Sequence, residues 1–272
     1  KPPQLVDQVR DGFVDVVWTL PSYTPGRFPM MSVFELPFMV TTADATSRAA
    51  QEYYETYARD EFADIKPLMF HVHARGVIHA GDPVEKVSDL RGKTVRAPSR
   101  QVGEALEAFG ASPVFMPASQ LPEALSKGVI DATVLPWEVA GSLKVPELVD
   151  AHTEIEGERG LYTSVFMLAM NKGKYEGLPD DLKAVIDANS GMNLVERAGP
   201  VWDDAEEPGR QAAIERGNTI VTLDPAEVEK MRQASAGVAE RWAEDLTAKG
   251  KDGRQLLEAA QALIEKHSAA GN

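Results

Sequence analysis

The chain has 272 residues, of which 28 are Lys or Arg and 42 are Asp or Glu, for a formal net charge of −14. That balance excludes a broad binding face for nucleic acid or an anionic membrane surface. The absence of cysteine excludes disulfide scaffolds, thiolate metal sites and cysteine nucleophiles. Hydrophobic residues at 43% and charged residues at 26% describe an ordinary globular composition, sufficient for one or two domains, and no apolar run reaches the roughly 18 residues that a membrane span needs.

In chain order, Leu5 and Val9 share one face of a short opening helix, and Val14 to Trp18 reads as a strand. Thr41 to Phe62 is mostly helical, with Tyr53, Tyr54 and Tyr57 at helical spacing. Leu68 to His79 reads as one long strand, or as two joined by Ala74-Arg75-Gly76. The clearest stretch follows. Thr94-Val95-Arg96-Ala97 is a short strand closed by Pro98, and Ser99 is placed to cap a helix with Val102, Ala105, Leu106 and Phe109 on one face. Gly110 stands where a helix ends, Pro113 to Met116 is a second strand, Ser119 caps a helix through Leu125, and Ile130 to Leu135 is a third strand. This β-α-β-α-β order predicts a parallel sheet with right-handed crossovers. Ligands of such sheets sit beyond the carboxyl ends of the strands, where Arg96, Met116 to Ala118 and Leu135 to Trp137 lie.

Tyr162 to Met170 is a second long apolar strand. Two long strands bracketing a compact α/β unit predict one domain inserted into another and joined by two crossovers. Leu182, Val185 and Ile186 open a long helix that Gly199-Pro200 is expected to kink or break. Val228, Met231, Ser235, Val238, Trp242 and Leu246 mark another helix, and Leu256 to Ile264 a last one.

Little catalytic chemistry is visible. His71 and His73 share one face of a strand, a spacing compatible with a metal site or with a plain polar strand end. There is no HExxH, no GxSxG elbow around Ser164, no Walker loop and no GxGxxG. Arg96 is the strongest candidate: an arginine at a strand end, stopped by proline, is placed to form a two-pronged ion pair with a carboxylate. Arg100 follows in the first turn of the next helix, where free backbone N–H groups also favour an anion. A structurally paired arginine is the competing reading for both, as a core role is for Trp18, Trp137 and Phe166.

Leu90-Arg-Gly-Lys-Thr-Val-Arg-Ala-Pro98, Gly110-Ala-Ser-Pro-Val-Phe-Met-Pro117, Glu123-Ala-Leu-Ser-Lys-Gly-Val-Ile-Asp131, Val33-Phe-Glu-Leu-Pro-Phe38 and Leu178-Pro-Asp-Asp-Leu182 together resemble the extracytoplasmic solute-binding subunits of TRAP transporters (the DctP-type family) over nearly the whole chain. The resemblance implies an α/β, two-lobed, hinge-bending periplasmic-binding-protein fold, type II-like, that captures an organic acid and delivers it to a sodium-coupled permease. It implies no catalysis, no cofactor and no metal, a monomer, and residence in the periplasm. It divides the chain into lobe I (about 1–73 and 167–222) and lobe II (about 74–166 with part of 223–272), with an interlobe helix over about 179–217. The family arginine that grips the ligand carboxylate corresponds to Arg96, and Arg75 or Arg100 would supply a second. Where sialic-acid-type members carry polar residues, this chain has Leu20 and Leu135, and Trp18 and Phe166 fall at positions resembling cleft-lining ones. A sugar hydroxyl without a partner would cost roughly 1–3 kcal/mol there, whereas an apolar tail gains about 25 cal/mol per Å² buried.

The expected ligand is therefore a monocarboxylate with an apolar or aromatic body, such as a benzoate or an aryl 2-oxo acid. A short aliphatic 2-oxo or hydroxy acid, or a uronate, is the alternative. Arg96 would anchor the carboxylate, the Thr163 and Ser164 hydroxyls would assist, and Trp18, Leu20, Met116, Leu135, Trp137 and Phe166 would shape the tail pocket. A metal-dependent hydrolase using His71 and His73, and an ABC-type receptor, are the rival readings. The family usually opens with a β-α-β unit ahead of the point where Lys1-Pro-Pro-Gln-Leu5 falls, so lobe I is expected to be short of strands and to expose apolar sheet.

Overall fold

The computed structural model describes residues 1–270. In order the elements are α1 (Leu5–Arg10), β1 (Val16–Thr19), α2 (Ala43–Tyr53), β2 (Ile65–Val72), β3 (Val77–Ala80), β4 (Thr94–Ala97), α3 (Arg100–Ala108), β5 (Ser112–Phe115), α4 (Leu121–Ser126), β6 (Ala132–Leu135), α5 (Trp137–Ser142), β7 (Ala151–Glu154), β8 (Val165–Asn171), α6 (Lys172–Glu176), α7 (Asp180–Ala188), α8 (Met192–Asp204), α9 (Glu206–Arg216), β9 (Thr219–Thr222), α10 (Pro225–Ala248) and α11 (Gly253–Ala270). They form two sheets, β1-β8-β2 and β5-β4-β6-β3-β7-β9.

The three-stranded sheet is antiparallel throughout and belongs to lobe I. One apolar cluster covers it, drawing Val6 and Val9 from α1, Ala49 and Tyr53 from α2, and Ile65, Phe70 and Met167 from the strands. As an edge strand β1 is left half exposed, with Val16 at 49% and Trp18 at 46%.

The six-stranded sheet is lobe II. Its β5-β4-β6 part is parallel, as the β-α-β-α-β pattern requires, and β3 runs antiparallel to both β6 and β7. Side chains alternate across it. Ile78, Ala80, Ala132 and Val134 join the cluster under α3 and the start of α10, while Val77 and Leu135 join the one under α4, α5 and α9.

The apolar run from Leu68 to His79 resolves as two strands in different sheets. The chain leaves lobe I at His73 to Gly76 and returns at Ile155 to Ser164. The two crossovers lie side by side, joined by Gly76 N–H donating to Tyr162 O at 2.9 Å and by Thr163 Oγ1 donating to His73 O at 2.7 Å. Gly76 is required at this contact, because a Cβ there would sit 1.9 Å from the Tyr162 ring. The strand expected from Tyr162 begins at Val165, since the preceding residues are spent on the crossover.

Three expectations need correction. The helix expected over about 179–217 is three helices, α7, α8 and α9, broken at Gly191 (φ 60°) and at Ala205. Pro200 lies inside α8 without ending it, because Gly199 lets this helix press onto α2, where a Cβ would meet Asp44 Oδ1 at 2.6 Å. Second, the long element shared by both lobes is α10: Val228 and Met231 pack in lobe II, Val238, Trp242 and Leu246 in lobe I. Correspondingly, β9 pairs with β7 in lobe II, where the division read from sequence had it in lobe I, and α11 buries Leu256, Ala260 and Ile264 in lobe I. Third, Ser99 occupies the N-cap position of α3 but makes no capping bond through its hydroxyl.

The break at Ala205 is framed by two carboxylates. Asp203 accepts from the N–H groups of Ala43 (2.8 Å) and Asp44 (3.0 Å) at the start of α2. Glu206 accepts from Trp137 N–H (3.1 Å) and Glu138 N–H (3.0 Å) at the start of α5. Each satisfies N-terminal donors of a helix in a different lobe.

Candidate functional site

Residue Arg96 sits in the third position of β4, a strand paired on both sides, and Pro98 ends the strand two residues on. Val95 and Ala97 point into the cluster under α3, so alternation sends Arg96 to the other face, at the carboxyl end of the sheet. It is 1% exposed. Nε donates to Met116 O at 3.0 Å, and the guanidinium lies beside the hydroxyls of Tyr23 and Tyr162. Tyr23 Oη accepts from Ala118 N–H at 3.1 Å and Tyr162 Oη donates to Val134 O at 2.7 Å. Among the described residues, no carboxylate pairs with Arg96. Its neighbours are neutral oxygens, and burial pulls its pKa down. A buried guanidinium without a counter-ion is costly, and a carboxylate is the group that would supply one.

Beyond the guanidinium opens a narrow cavity between the lobes. Leu20, Leu135, Val139 and Phe166 give it apolar walls, and Ser164 and His73 add polar edges. Five rings stack in near-parallel order along its lobe I side. His73 lies 4.0 Å from Phe166 and 4.3 Å from Trp202 between centroids, and Trp18 lies 4.8 Å from Phe166. The fifth ring, His71, accepts a hydrogen bond on Nε2 from Trp18 Nε1 at 2.8 Å. His73 Nδ1 contacts Glu138 of α5, a contact that joins the crossover to lobe II. Burial drives His71 and His73 down to about 3 and Glu138 up to about 7. Beside the cavity, the buried carboxyl of Glu35 accepts from Val165 N–H at 3.1 Å, and burial raises it to about 7.

The residues expected from sequence separate into three groups. Arg96, Leu20, Leu135, Ser164 and Phe166 converge on the cavity. Met116 touches the site through its carbonyl, and Trp18 through the ring stack. The other three are elsewhere. Arg75 donates to the carbonyls of Thr41 (2.6 Å), Gly157 (2.6 Å) and Glu158 (3.1 Å), so it ties loops together. Arg100 is paired on the surface with Glu104 (2.7 Å) and Asp245 (2.9 Å). Trp137 donates Nε1 to Glu154 at 2.9 Å and packs against the His79 and His152 rings on the far side of lobe II. No second arginine lines the cavity. Thr163 spends its hydroxyl on His73 O.

Sequence reasoning passed over Tyr23, Tyr162 and Val139. Tyr162 had one signal, Gly76, whose missing side chain makes room for the ring. The paired-histidine metal reading fails on geometry. The His71 and His73 rings lie near-parallel, with centroids 5.6 Å apart and planes inclined by 21°. His71 Nε2 is already engaged by Trp18. Among the described residues no cluster of His, Asp and Glu is arranged to hold a metal ion.

Two lobes joined by paired crossovers, with a buried arginine between them, are the architecture of a two-lobed solute-binding protein. Residues 1–245 match the model of the bacterial extracellular solute-binding protein family 7, DctP, and the chain belongs to that family. A TRAP solute-binding protein from Rhodoferax ferrireducens T118, solved with copurified benzoate, is 48% identical with a TM-score of 0.97 over 100% of this chain and 85% of that one. A marine metagenome TRAP solute-binding protein specific for aromatic acid ligands, solved with metahydroxyphenylacetate, is 47% identical with a TM-score of 0.96 over 98% of this chain and 84% of that one. One from Bordetella bronchiseptica, holding (R)- and (S)-mandelate, is 31% identical with a TM-score of 0.90 over 98% and 85% of the two chains. This is a TRAP transporter solute-binding protein, extracytoplasmic and without enzymatic activity, as its family and structural neighbours are.

Proposed function

We propose that the protein captures an aromatic monocarboxylate through a bidentate ion pair with Arg96 and delivers it, as a monomer, to the membrane permease of its TRAP system. The observation that carries this reading is the fully buried Arg96 guanidinium, which has neutral oxygens around it, no acidic side chain, and an apolar cavity in front. One free cation fits one carboxylate. A dicarboxylate would leave its second charge against Leu20, Leu135 and Val139, and a uronate would leave several hydroxyls there. A flat ring instead meets Phe166 edge or face and buries apolar area on both lobes. The ligands of the three related proteins, benzoate, metahydroxyphenylacetate and mandelate, are aromatic monocarboxylates too. Met116 and Ser164 are assigned to holding the carboxylate end, Leu20, Leu135, Val139 and Phe166 to the body, and Trp18 to backing Phe166.

The test is a calorimetric titration of ligand-stripped protein with benzoate, phenylacetate, mandelate, pyruvate, succinate and glucuronate. An aromatic acid is expected to bind at least 100-fold more tightly than the last three, on the order of the gain from burying ~100 Å² of ring surface. Tighter binding of pyruvate, succinate or glucuronate would overturn the assignment.

A further inference from the structure

We propose that His73 reads a hydroxyl group carried on the body of the bound acid, so that the preferred ligands are hydroxylated aryl carboxylates. This rests on the aromatic-acid reading above and specifies it further.

His73 is 3% exposed, lies in the crossover between β2 and β3, and lines the cavity. Its ring is near-parallel to Phe166 (11°, 4.0 Å) and to Trp202 (18°, 4.3 Å). Two rings so close to a third occupy its opposite faces, since on one face they would overlap. Both faces of the imidazole are therefore covered, and it meets a ligand only through its edge. On that edge Nδ1 is against the Glu138 carboxyl. Neither ring nitrogen makes a hydrogen bond of standard geometry within the protein; Nδ1 at least has the Glu138 carboxyl against it, whereas Nε2 is buried with no partner. The wall also holds Leu20, Leu135 and Val139, which offer Nε2 nothing, and the polar groups of Tyr23, Arg96, Tyr162 and Ser164, none of which is bonded to it.

The partner that completes Nε2 follows from its chemistry. With Glu138 ionised, Nδ1–H donates to the carboxylate, and Nε2 presents a lone pair that needs a donor. With Glu138 protonated, the carboxyl donates to Nδ1, and Nε2–H needs an acceptor. A hydroxyl serves both arrangements, because it donates and accepts. A second carboxylate serves one of them at most and adds a negative charge near Glu138, and an ammonium serves the other. Halogen and methyl groups serve neither well. Burial keeps the imidazole neutral in both cases, since its pKa is driven down to about 3.

The experiment compares benzoate with 2-, 3- and 4-hydroxybenzoate and the matching fluorobenzoates by calorimetry. It uses the whole chain as wild type, His73→Phe, His73→Gln and Ser164→Ala. Phenylalanine preserves the stack, and glutamine is a second variant that retains a polar tip. In the wild type at least one hydroxyl isomer is expected to bind 10-fold or more tightly than both benzoate and its fluoro counterpart. In His73→Phe the advantage of the hydroxyl isomer over benzoate and over its fluoro counterpart falls to within about 2-fold, whatever the variant's affinity for benzoate itself, and Ser164→Ala keeps the preference. The proposal is overturned if no isomer is favoured in the wild type, if the preference survives in His73→Phe, or if Ser164→Ala alone abolishes it. Should His73→Phe fail to fold, His73→Gln decides beside the wild-type series: a change of at least 3-fold in the hydroxyl preference supports the proposal, and an unchanged preference overturns it. Failure of benzoate and every substituted benzoate to bind the wild type would instead overturn the aromatic-acid reading, a result distinct from binding without a hydroxyl preference.

Discussion

Replacing Arg96 by methionine separates a ligand anchor from a structural arginine, because the two roles move binding and stability in different directions. In the bound state two charge-assisted hydrogen bonds to a desolvated carboxylate are lost, together about 3–5 kcal/mol, or a 100- to 1,000-fold weakening or more. In the ligand-free state the same change removes a 1% exposed cation that has no acidic partner. Its internal contributions are the Nε bond to Met116 O, worth about 1.5–3 kcal/mol as a bond to a charged group, and a contact with the Tyr23 hydroxyl. The effective cost of burying the ion is several kcal/mol, so the net change in stability is about +1 kcal/mol and the ligand-free Tm rises by about 2–3 °C. Benzoate titration by calorimetry and thermal unfolding of ligand-stripped protein measure the two effects. Binding within 10-fold of wild type would refute the anchor assignment. Loss of binding together with a Tm lowered by more than about 3 °C would make Arg96 a structural residue.

The buried titratable groups fix a second expectation. His71, His73 and His79 are driven by burial to about 3 and His152 to about 4, against an ordinary 6.5, so unfolding takes up protons below pH 6.5 and their share of stability is lost as pH falls. Glu35, Glu61, Glu138 and Glu206 are raised to about 7, against an ordinary 4.5, so their share is full below pH 4.5 and is lost as pH rises through 7. Between about pH 4.5 and 6.5 the two sets offset, and Tm should be nearly flat. It should decline gently above 7 and fall steeply below 4.5, at up to about 3–5 kcal/mol per pH unit; a Tm rising steadily from pH 5 to 8 would contradict the neutral buried carboxyls. Gly209→Ala places a Cβ 2.0 Å from Trp137 O, and should cost about 2 kcal/mol or more through strain between α5 and α9. A chemical-denaturation midpoint equal to wild type would show that the helices separate freely. Leu135→Asn sets an amide in the cavity wall and should weaken benzoate about 10-fold or more, by about 1–3 kcal/mol for an unpaired buried polar group, while unchanged affinity would remove Leu135 from the wall.

Where sequence and structure agree, local physics decides. The β4-α3-β5-α4-β6 segment was legible because proline, glycine and apolar spacing each mark the same boundaries, and Arg96 was legible because a strand end fixes where its side chain points. The helical region between Asp180 and Arg216 was not. Its breaks fall at Gly191 and Ala205 because α8 and α9 must each press onto a different lobe, a tertiary demand that overrides Pro200. The second arginine failed for a related reason. Arg75 and Arg100 are near Arg96 in sequence or in topology, but their partners, Gly157, Glu158 and Asp245, come from segments that only folding brings close. Trp137 shows the same limit, since its orientation is set by Glu154 and Arg210, the latter donating to Glu154 at 2.8 Å. His73 was noticed for the wrong chemistry. Alternation placed it beside His71, but not the Phe166 and Trp202 rings that cover its faces and leave one edge bare.

The carboxylates on either side of Ala205 constrain how the protein can move. Asp203 holds the head of α2, Glu206 holds the head of α5, and only Asp204 and Ala205 lie between the two grips. A joint clamped so closely on both sides can swivel but has no room to slide. Any opening of the cleft that keeps both grips would then be a turn about this joint. The rims of the two lobes sweep the widest arc, while the separation between the heads of α2 and α5 stays constant. A transporter that gauges rim-to-rim span would therefore sense small changes in the cleft as large displacements at its own surface.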